Sequence, residues 1–216
     1  MVGYARAVDG SDAKAVEEKN RDSFTLDGWL RSGDKGCMNE QGYFRITGRY
    51  KELIKTSGGE YVSPATLEEA VLQRAPALSR VVVVGNGRKH VVALVTLQQR
   101  GATGETPGDG VLTGLAARVS PTSTTTEQAV DDPAWVAYVR SAIAGANADP
   151  VACASRAAAI KKFTILPRDF SIETGELTST FKLKRSVTEK MYAKAIDAMY
   201  DEKLPQKQMF VPFVPQ

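Results

Sequence analysis

Histidine and cysteine are scarce in this chain of 216 residues. There is one histidine, His90, and two cysteines, Cys37 and Cys153, lie far apart with no CxxC pair. That scarcity excludes a Cys/His zinc site and fits a reducing, intracellular compartment. It leaves His90 as a structural residue and both thiols as packing residues. Neither sign of charge dominates: 28 Lys and Arg against 25 Asp and Glu leave a net +3, with no dense basic tract to point to nucleic acid. Apolar runs such as 81–84 are strand-sized, and no stretch reads as a secretory leader or a membrane-spanning helix. The proline-broken apolar tail Met209-Phe210-Val211-Pro212-Phe213-Val214 suits peripheral contact with a bilayer but is too short to cross one.

What is present reads as a soluble globular chain, 43% hydrophobic and 25% charged, long enough for one domain plus a piece of another. Residues 13–20 suit a short helix. Asn39-Glu40-Gln41-Gly42 has hairpin-turn chemistry, so 35–38 and 43–47 read as its strands. After residue 49 the pattern changes. A strand is expected at 52–56 and a loop at 57–61. A helix follows at 64–73, capped by Ser63 with Pro64 in its first turn and with Leu67, Ala70 and Val71 on one face. Strands at 80–85 and 90–98 flank the turn Asn86-Gly87-Arg88-Lys89.

Residues 100–132, rich in Gly, Thr and Ser, read as a partly mobile surface insertion without chemistry of its own. Helices are expected at 133–147 and 151–160, a strand at 162–166, and one amphipathic helix at 187–200 with a Met191, Ala195, Met199 stripe. This order describes an α+β domain, a small sheet with helices packed on it, behind a short β-rich remnant.

Two stretches carry the functional signal. The first holds Gly28-Trp29-Leu30-Arg31-Ser32-Gly33-Asp34, Gly42-Tyr43-Phe44-Arg45-Ile46-Thr47-Gly48-Arg49 and Lys51-Glu52-Leu53-Ile54-Lys55-Thr56-Ser57-Gly58-Gly59-Glu60; the second is Gly175-Glu176-Leu177-Thr178-Ser179-Thr180-Phe181-Lys182-Leu183-Lys184-Arg185. Their order and wording resemble the C-terminal half of AMP-forming (adenylate-forming) acyl-CoA synthetases, long-chain fatty acyl-CoA synthetases of the bubblegum type in particular. Met1-Val2-Gly3-Tyr4 is similar to an internal turn of the family. The resemblance therefore implies the C-terminal portion of a longer enzyme, with 1–48 ending a large N-terminal adenylation domain, 49–204 a mobile lid domain and 205–216 a tail.

The resemblance also assigns roles. Asp34, whose two oxygens match a vicinal diol, would hold the ribose hydroxyls of ATP or AMP. Arg49 would contact phosphate or ribose oxygens. Lys51 falls at the family's hinge, where the chain absorbs a backbone change. Lys55 would face the acyl-adenylate, and Ser57, Gly58 and Gly59 would let the pantetheine arm of coenzyme A approach the backbone. Lys182 is the catalytic candidate, an ammonium set against charge that grows during adenylation, with Lys184 and Arg185 as competitors.

The implied substrates are a fatty acid, ATP with Mg²⁺ and coenzyme A. The implied partner is the N-terminal domain, which would carry the phosphate-binding loop and most of the magnesium site. The enzyme would be cytoplasmic or peripheral on an organelle membrane, and the 216 residues alone are expected to be inactive. Two rivals stay open: a ligase that charges a carrier protein, and a non-catalytic interaction domain of the same fold.

Overall fold

The computed structural model describes residues 11–201. The chain divides into two compact units, Met1–Lys51 and Glu52–Gln216. Residues 1–4 and the 209–214 tail, singled out above, lie outside the described residues.

In the first unit, helix α1 (Ala13–Ser23) precedes an antiparallel hairpin of β1 (Asp34–Met38) and β2 (Phe44–Arg49). Asn39 builds the turn. Its side chain accepts from the Gln41 and Tyr43 amides at 3.1 and 2.8 Å, and Gly42 takes the positive φ that closes it. A bulge between Lys35 and Gly36 shifts the register so that Asp34 ends opposite Arg49. Among the described residues of this unit Val16 is the one buried apolar side chain; Phe44 is 81% and Ile46 66% exposed. Cys37 is exposed as well, against the expectation of a packing residue, because every residue of β1 is exposed.

The second unit is built on a three-stranded sheet ordered β5 (Leu78–Val84), β6 (Val91–Leu97), β7 (Ile160–Ile165) after the short strands β3 (Ile54–Lys55) and β4 (Tyr61–Val62). β6 pairs antiparallel with β5 and parallel with β7. Its sequence is continuously apolar because both faces are covered. Val91, Ala93, Val95 and Leu97 pack with α2 (Pro64–Arg74) and α4 (Pro133–Asn147), while Val92 and Leu94 pack with Phe170, Leu177, Ile196 and Met199. The α2 face is Leu67, Ala70 and Val71, as its spacing predicts. Ser63 makes no side-chain cap bond there; the Thr66 hydroxyl donates to the Ser63 carbonyl instead. Among the described residues no helix is long and apolar enough to cross a membrane.

Four expectations are corrected. The 52–56 strand shrinks to Ile54–Lys55, since Tyr50–Glu52 is a turn of 3₁₀ helix. Residues 100–132 are folded onto the core rather than loose: Leu112, Ala116 and Ala129 are buried, and α3 (Thr126–Asp131) begins with a Thr125/Gln128 capping box. Residues 151–160 form turns, not a helix, because Asp149 accepts the Val151 and Ala152 amides and Asn147 bonds both backbone groups of Ile160, so the segment enters β7 extended. The 187–200 helix splits into α5 (Arg185–Met191) and α6 (Ala193–Tyr200) at Tyr192, whose hydroxyl donates to Glu176 at 2.9 Å. The packed stripe is Thr188, Tyr192, Ile196 and Met199, and Met191 is 48% exposed.

Candidate functional site

Asp34 and Arg49 come together at the open end of the β1–β2 hairpin. They are cross-strand partners, with Arg49 Nε 3.3 Å from Asp34 Oδ1. Gly33 at φ 79° turns the chain into β1, its carbonyl accepts from Tyr50, and the Ser32 hydroxyl accepts the Asp34 amide. An exposed pair of this kind contributes about 0–1 kcal/mol, so a ligand that offers a diol and a phosphate can take both groups at little cost. Lys51 is exposed in the 3₁₀ turn and is the last residue of its unit.

Lys55, Ser57, Gly58 and Gly59 share one tight hairpin. Thr56 bonds Glu60 and Gly59 across its tip, and Gly59 takes φ 83°. The β5–β6 turn holds this hairpin from one side: Asn86 Oδ1 accepts from the Lys55 amide, Gly87 donates to the Lys55 carbonyl, and Ser57 donates to the Arg88 carbonyl. Lys55 Nζ stands 5.6 Å from the Tyr61 ring centroid, and Gly58 and Gly59 are exposed, with nothing within 4 Å of a Cβ built on Gly59. The β5–β6 turn is anchored in turn by α6, where the Tyr200 hydroxyl donates to the His90 carbonyl at 2.6 Å and Arg88 sits 4.9 Å from the Tyr200 ring. Burial pushes the Tyr200 phenol well above its ordinary value, which keeps it a donor. His90 packs against Tyr200, with ring centroids 5.0 Å apart.

Lys182 is exposed at the end of a turn that closes between Leu177 and Leu183. Thr178 organises it. Its amide donates to the Lys182 carbonyl at 2.8 Å, and its hydroxyl accepts from the Lys182 and Thr180 amides at 3.1 and 3.3 Å. At the root of the turn the buried Glu176 carboxylate accepts from Thr174 and Tyr192. Burial first, then that contact with Glu176, pushes the Tyr192 phenol far up, so it too stays a donor.

The two competing cations differ in position. Lys184 is exposed at the start of α5. Arg185 is committed inside the fold, with Nη1 on the Val83 carbonyl at 2.8 Å and Nη2 on Glu68 at 2.9 Å, while Glu68 Oε1 accepts the Val83 amide at 2.7 Å. These bonds satisfy one residue of β5, an edge strand of the sheet. Burial raises the Glu68 carboxyl and Arg185 partly offsets it. Reasoning from the sequence missed Glu68, Asn86 and Glu176, because Arg185, Lys55 and Tyr192, which donate to them, lie in other elements; a glutamate within the apolar α2 pattern was the one available hint. Among the described residues no cluster of three or more His, Cys, Asp or Glu side chains is placed to hold a metal ion.

A family model described as the AMP-binding enzyme C-terminal domain matches residues 51–204. The long-chain-fatty-acid–CoA ligase FadD15 of Mycobacterium tuberculosis is 38% identical over 186 residues, 86% of this chain and 28% of that protein. Two similar proteins are the long-chain-fatty-acid–CoA ligases ACSBG2 of Gallus gallus, 37% identical over 86% of this chain and 25% of that protein, and ACSBG1 of Homo sapiens, 36% identical over 87% and 26%. The chain thus spans about a quarter of the length of the curated relatives it matches. Among solved structures, the adenylation domain of a Segniliparus rugosus carboxylic acid reductase, in complex with AMP and a carboxylic acid, superposes with a TM-score of 0.62 at 22% identity, over 85% of this chain and 25% of that one. At that identity the shared property is the fold.

Proposed function

Because this chain belongs to the AMP-binding enzyme C-terminal domain family, we propose that it is the C-terminal part of a long-chain fatty acid–CoA ligase. In the first half-reaction the fatty acid carboxylate attacks the α-phosphorus of ATP, the P–O bond to the leaving group breaks, and acyl-adenylate and pyrophosphate form. In the second, the thiol of coenzyme A attacks the acyl carbon, AMP leaves, and the thioester remains. Such chemistry depends on positioning and charge neutralisation more than on covalent help from the protein.

One observation carries the reading: of the three cations in the 182–185 run, Arg185 is locked to Glu68 and Val83, Lys184 is exposed at the start of α5, and Lys182 stands exposed at the turn tied by Thr178. The Lys182 ammonium is suited to bridge the α-phosphate and the attacking carboxylate oxygen, neutralising charge as it grows. Asp34 holds the ribose diol and Arg49 the adjacent phosphate or ribose oxygen. Rotation about Lys51 withdraws Lys182 and brings up the 55–59 hairpin, where Lys55 faces the adenylate and the Ser57-Gly58-Gly59 backbone borders the pantetheine path. Mg²⁺ bound to ATP would supply charge neutralisation on the phosphates, held mainly by the N-terminal domain that the relatives' greater length implies. The exposed apolar side chains of the β1–β2 hairpin fit residues 1–48 as the end of that larger domain.

The test is Lys182→Ala in the full-length enzyme, followed in both half-reactions. Pyrophosphate release from fatty acid and ATP should fall by about a hundred-fold or more, while thioester formation from supplied acyl-adenylate and coenzyme A persists. Unchanged pyrophosphate release would move the role away from Lys182. Transfer to a carrier-protein thiol but not to coenzyme A would replace the acceptor. The 216 residues alone should form no acyl-CoA.

A further inference from the structure

The 101–108 hairpin, part of the segment that reads from sequence as an idle insertion, reaches the turn that carries Lys182. Its ends face each other at Ala102 and Pro107, and its inside is tied by Thr106 Oγ1 donating to the Gly101 carbonyl at 2.7 Å. Three of its carbonyls accept amides from the segment leading to the lysine turn: Gly104 from Ile172 at 2.8 Å, Glu105 from Glu173 at 3.0 Å and Pro107 from Asp169 at 3.2 Å. Gly104 itself, at φ +83°, lies under the Phe181 ring. A Cβ built there would stand 2.8 Å from Phe181 Cδ1 and 3.0 Å from Cε1.

Phe181 immediately precedes Lys182 and is the one non-glycine residue with positive φ among the described residues, at 59°. That conformation is strained for a side-chain-bearing residue, so something must hold it. The seat on Gly104 and the Phe181 amide's bond to the Thr178 carbonyl at 2.8 Å do so.

We infer that the 101–108 hairpin is a brace for the adenylation lysine: Gly104 seats the Phe181 ring, and the seated ring sets the direction in which Lys182 leaves its turn. Gly104 and Phe181 are positioning residues, and the inference rests on the reading of Lys182 given above. A side chain at position 104 must displace the ring, 44% exposed on its other side, from its seat, and the loss of that seat removes one of the two contacts that hold Phe181 at positive φ before the ammonium. Misplacement by about 1 Å is enough to cost on the order of a hundred-fold in rate.

The experiment uses the full-length enzyme with Gly104→Ala, Gly110→Ala, Phe181→Gly and Lys182→Ala. Gly110 has φ +85° with nothing within 4 Å of an added Cβ, so it carries the same backbone strain without the contact. Gly104→Ala is expected to slow pyrophosphate release about ten- to a hundred-fold, to leave thioester formation from supplied acyl-adenylate unchanged, and to speed tryptic cleavage after Lys182 several-fold. Gly110→Ala should do none of these. Phe181→Gly, which removes the ring and relieves the positive φ, should show the same one-sided loss, and adding Gly104→Ala to it should add nothing. Wild-type rates and cleavage in Gly104→Ala, or equal loss in both half-reactions, would overturn the brace. If Lys182→Ala keeps full adenylation, the catalytic reading fails instead, and the cleavage rates then judge the brace alone.

Discussion

Replacing Arg185 by methionine tests whether its guanidinium is a structural cation, unlike the exposed Lys182. The guanidinium donates to the Val83 carbonyl at 2.8 Å and reaches both Glu68 oxygens, at 2.9 and 3.1 Å. The Arg185 and Glu68 side chains are only 19% and 15% exposed. Removing one partner of a buried pair costs about 3–5 kcal/mol, and the residual exposure places this case at the lower end, about 3 kcal/mol. At about 2–4 °C per kcal/mol for a unit of this size, the melting temperature should drop by about 6–12 °C. Trp135, buried in this unit, reports the transition by fluorescence once the exposed Trp29 is replaced by phenylalanine.

The loss also has a pH signature. Burial holds the Glu68 carboxyl above its ordinary 4.5 and Arg185 pulls it down, so the variant's carboxyl rises further. A group raised on folding favours the folded state below its unfolded value and loses that contribution as pH rises through its folded value. The cost of the substitution should therefore shrink as pH is lowered from neutrality. A cost below about 1 kcal/mol would make the pair an ordinary surface contact, and a cost that grows on acidification would refute the placement of Glu68.

Asp132 caps α4 and accepts from Ser120, Thr122 and Ser123 as well as from the Ala134 amide at 2.8 Å. Those hydroxyl bonds, Ser120 and Ser123 foremost, hold its carboxyl down at about 2 against an ordinary 3.8. Its contribution is thus complete above 3.8 and lost as pH falls toward 2. Asp132→Ala should cost about 1–2 kcal/mol near neutrality and erase that part of the acid dependence in denaturant titrations. Leu67→Ala, at a fully buried position of α2, should cost about 2–5 kcal/mol by the same titration. Asn86→Ala removes the acceptor of the Lys55 amide and should weaken the hairpin by about 1 kcal/mol. Hydrogen exchange at Lys55 measures this, and unchanged protection would show that the β5–β6 turn does not hold the hairpin.

Local pattern was sufficient wherever one stretch of chain decides its own conformation. The Asn39–Gly42 turn chooses its strands because the asparagine side chain and the glycine backbone close it without outside help. The apolar phase of α2 and the unbroken run of β6 follow from periodicity and from burial of both sheet faces. The motif around Asp34 and Arg49 placed two groups that cross-strand register then brought to 3.3 Å.

What the linear pattern does not carry is which distant groups meet. Residues 100–132 have few large apolar side chains and so read as loose. Yet small buried residues, hydroxyls gathered on Asp132 and backbone bonds to 169–173 bind them to the core. Lys182, Lys184 and Arg185 look alike in a basic run, and packing alone assigns Arg185 to Glu68 and leaves Lys182 and Lys184 at the surface. Tyr192 breaks a helix that its periodicity continues, because a hydroxyl bonded to buried Glu176 outweighs helical propensity worth only tenths of a kcal/mol per residue. Contacts between residues tens of positions apart depend on loop closure and shape, and neither is written in the spacing of neighbouring side chains.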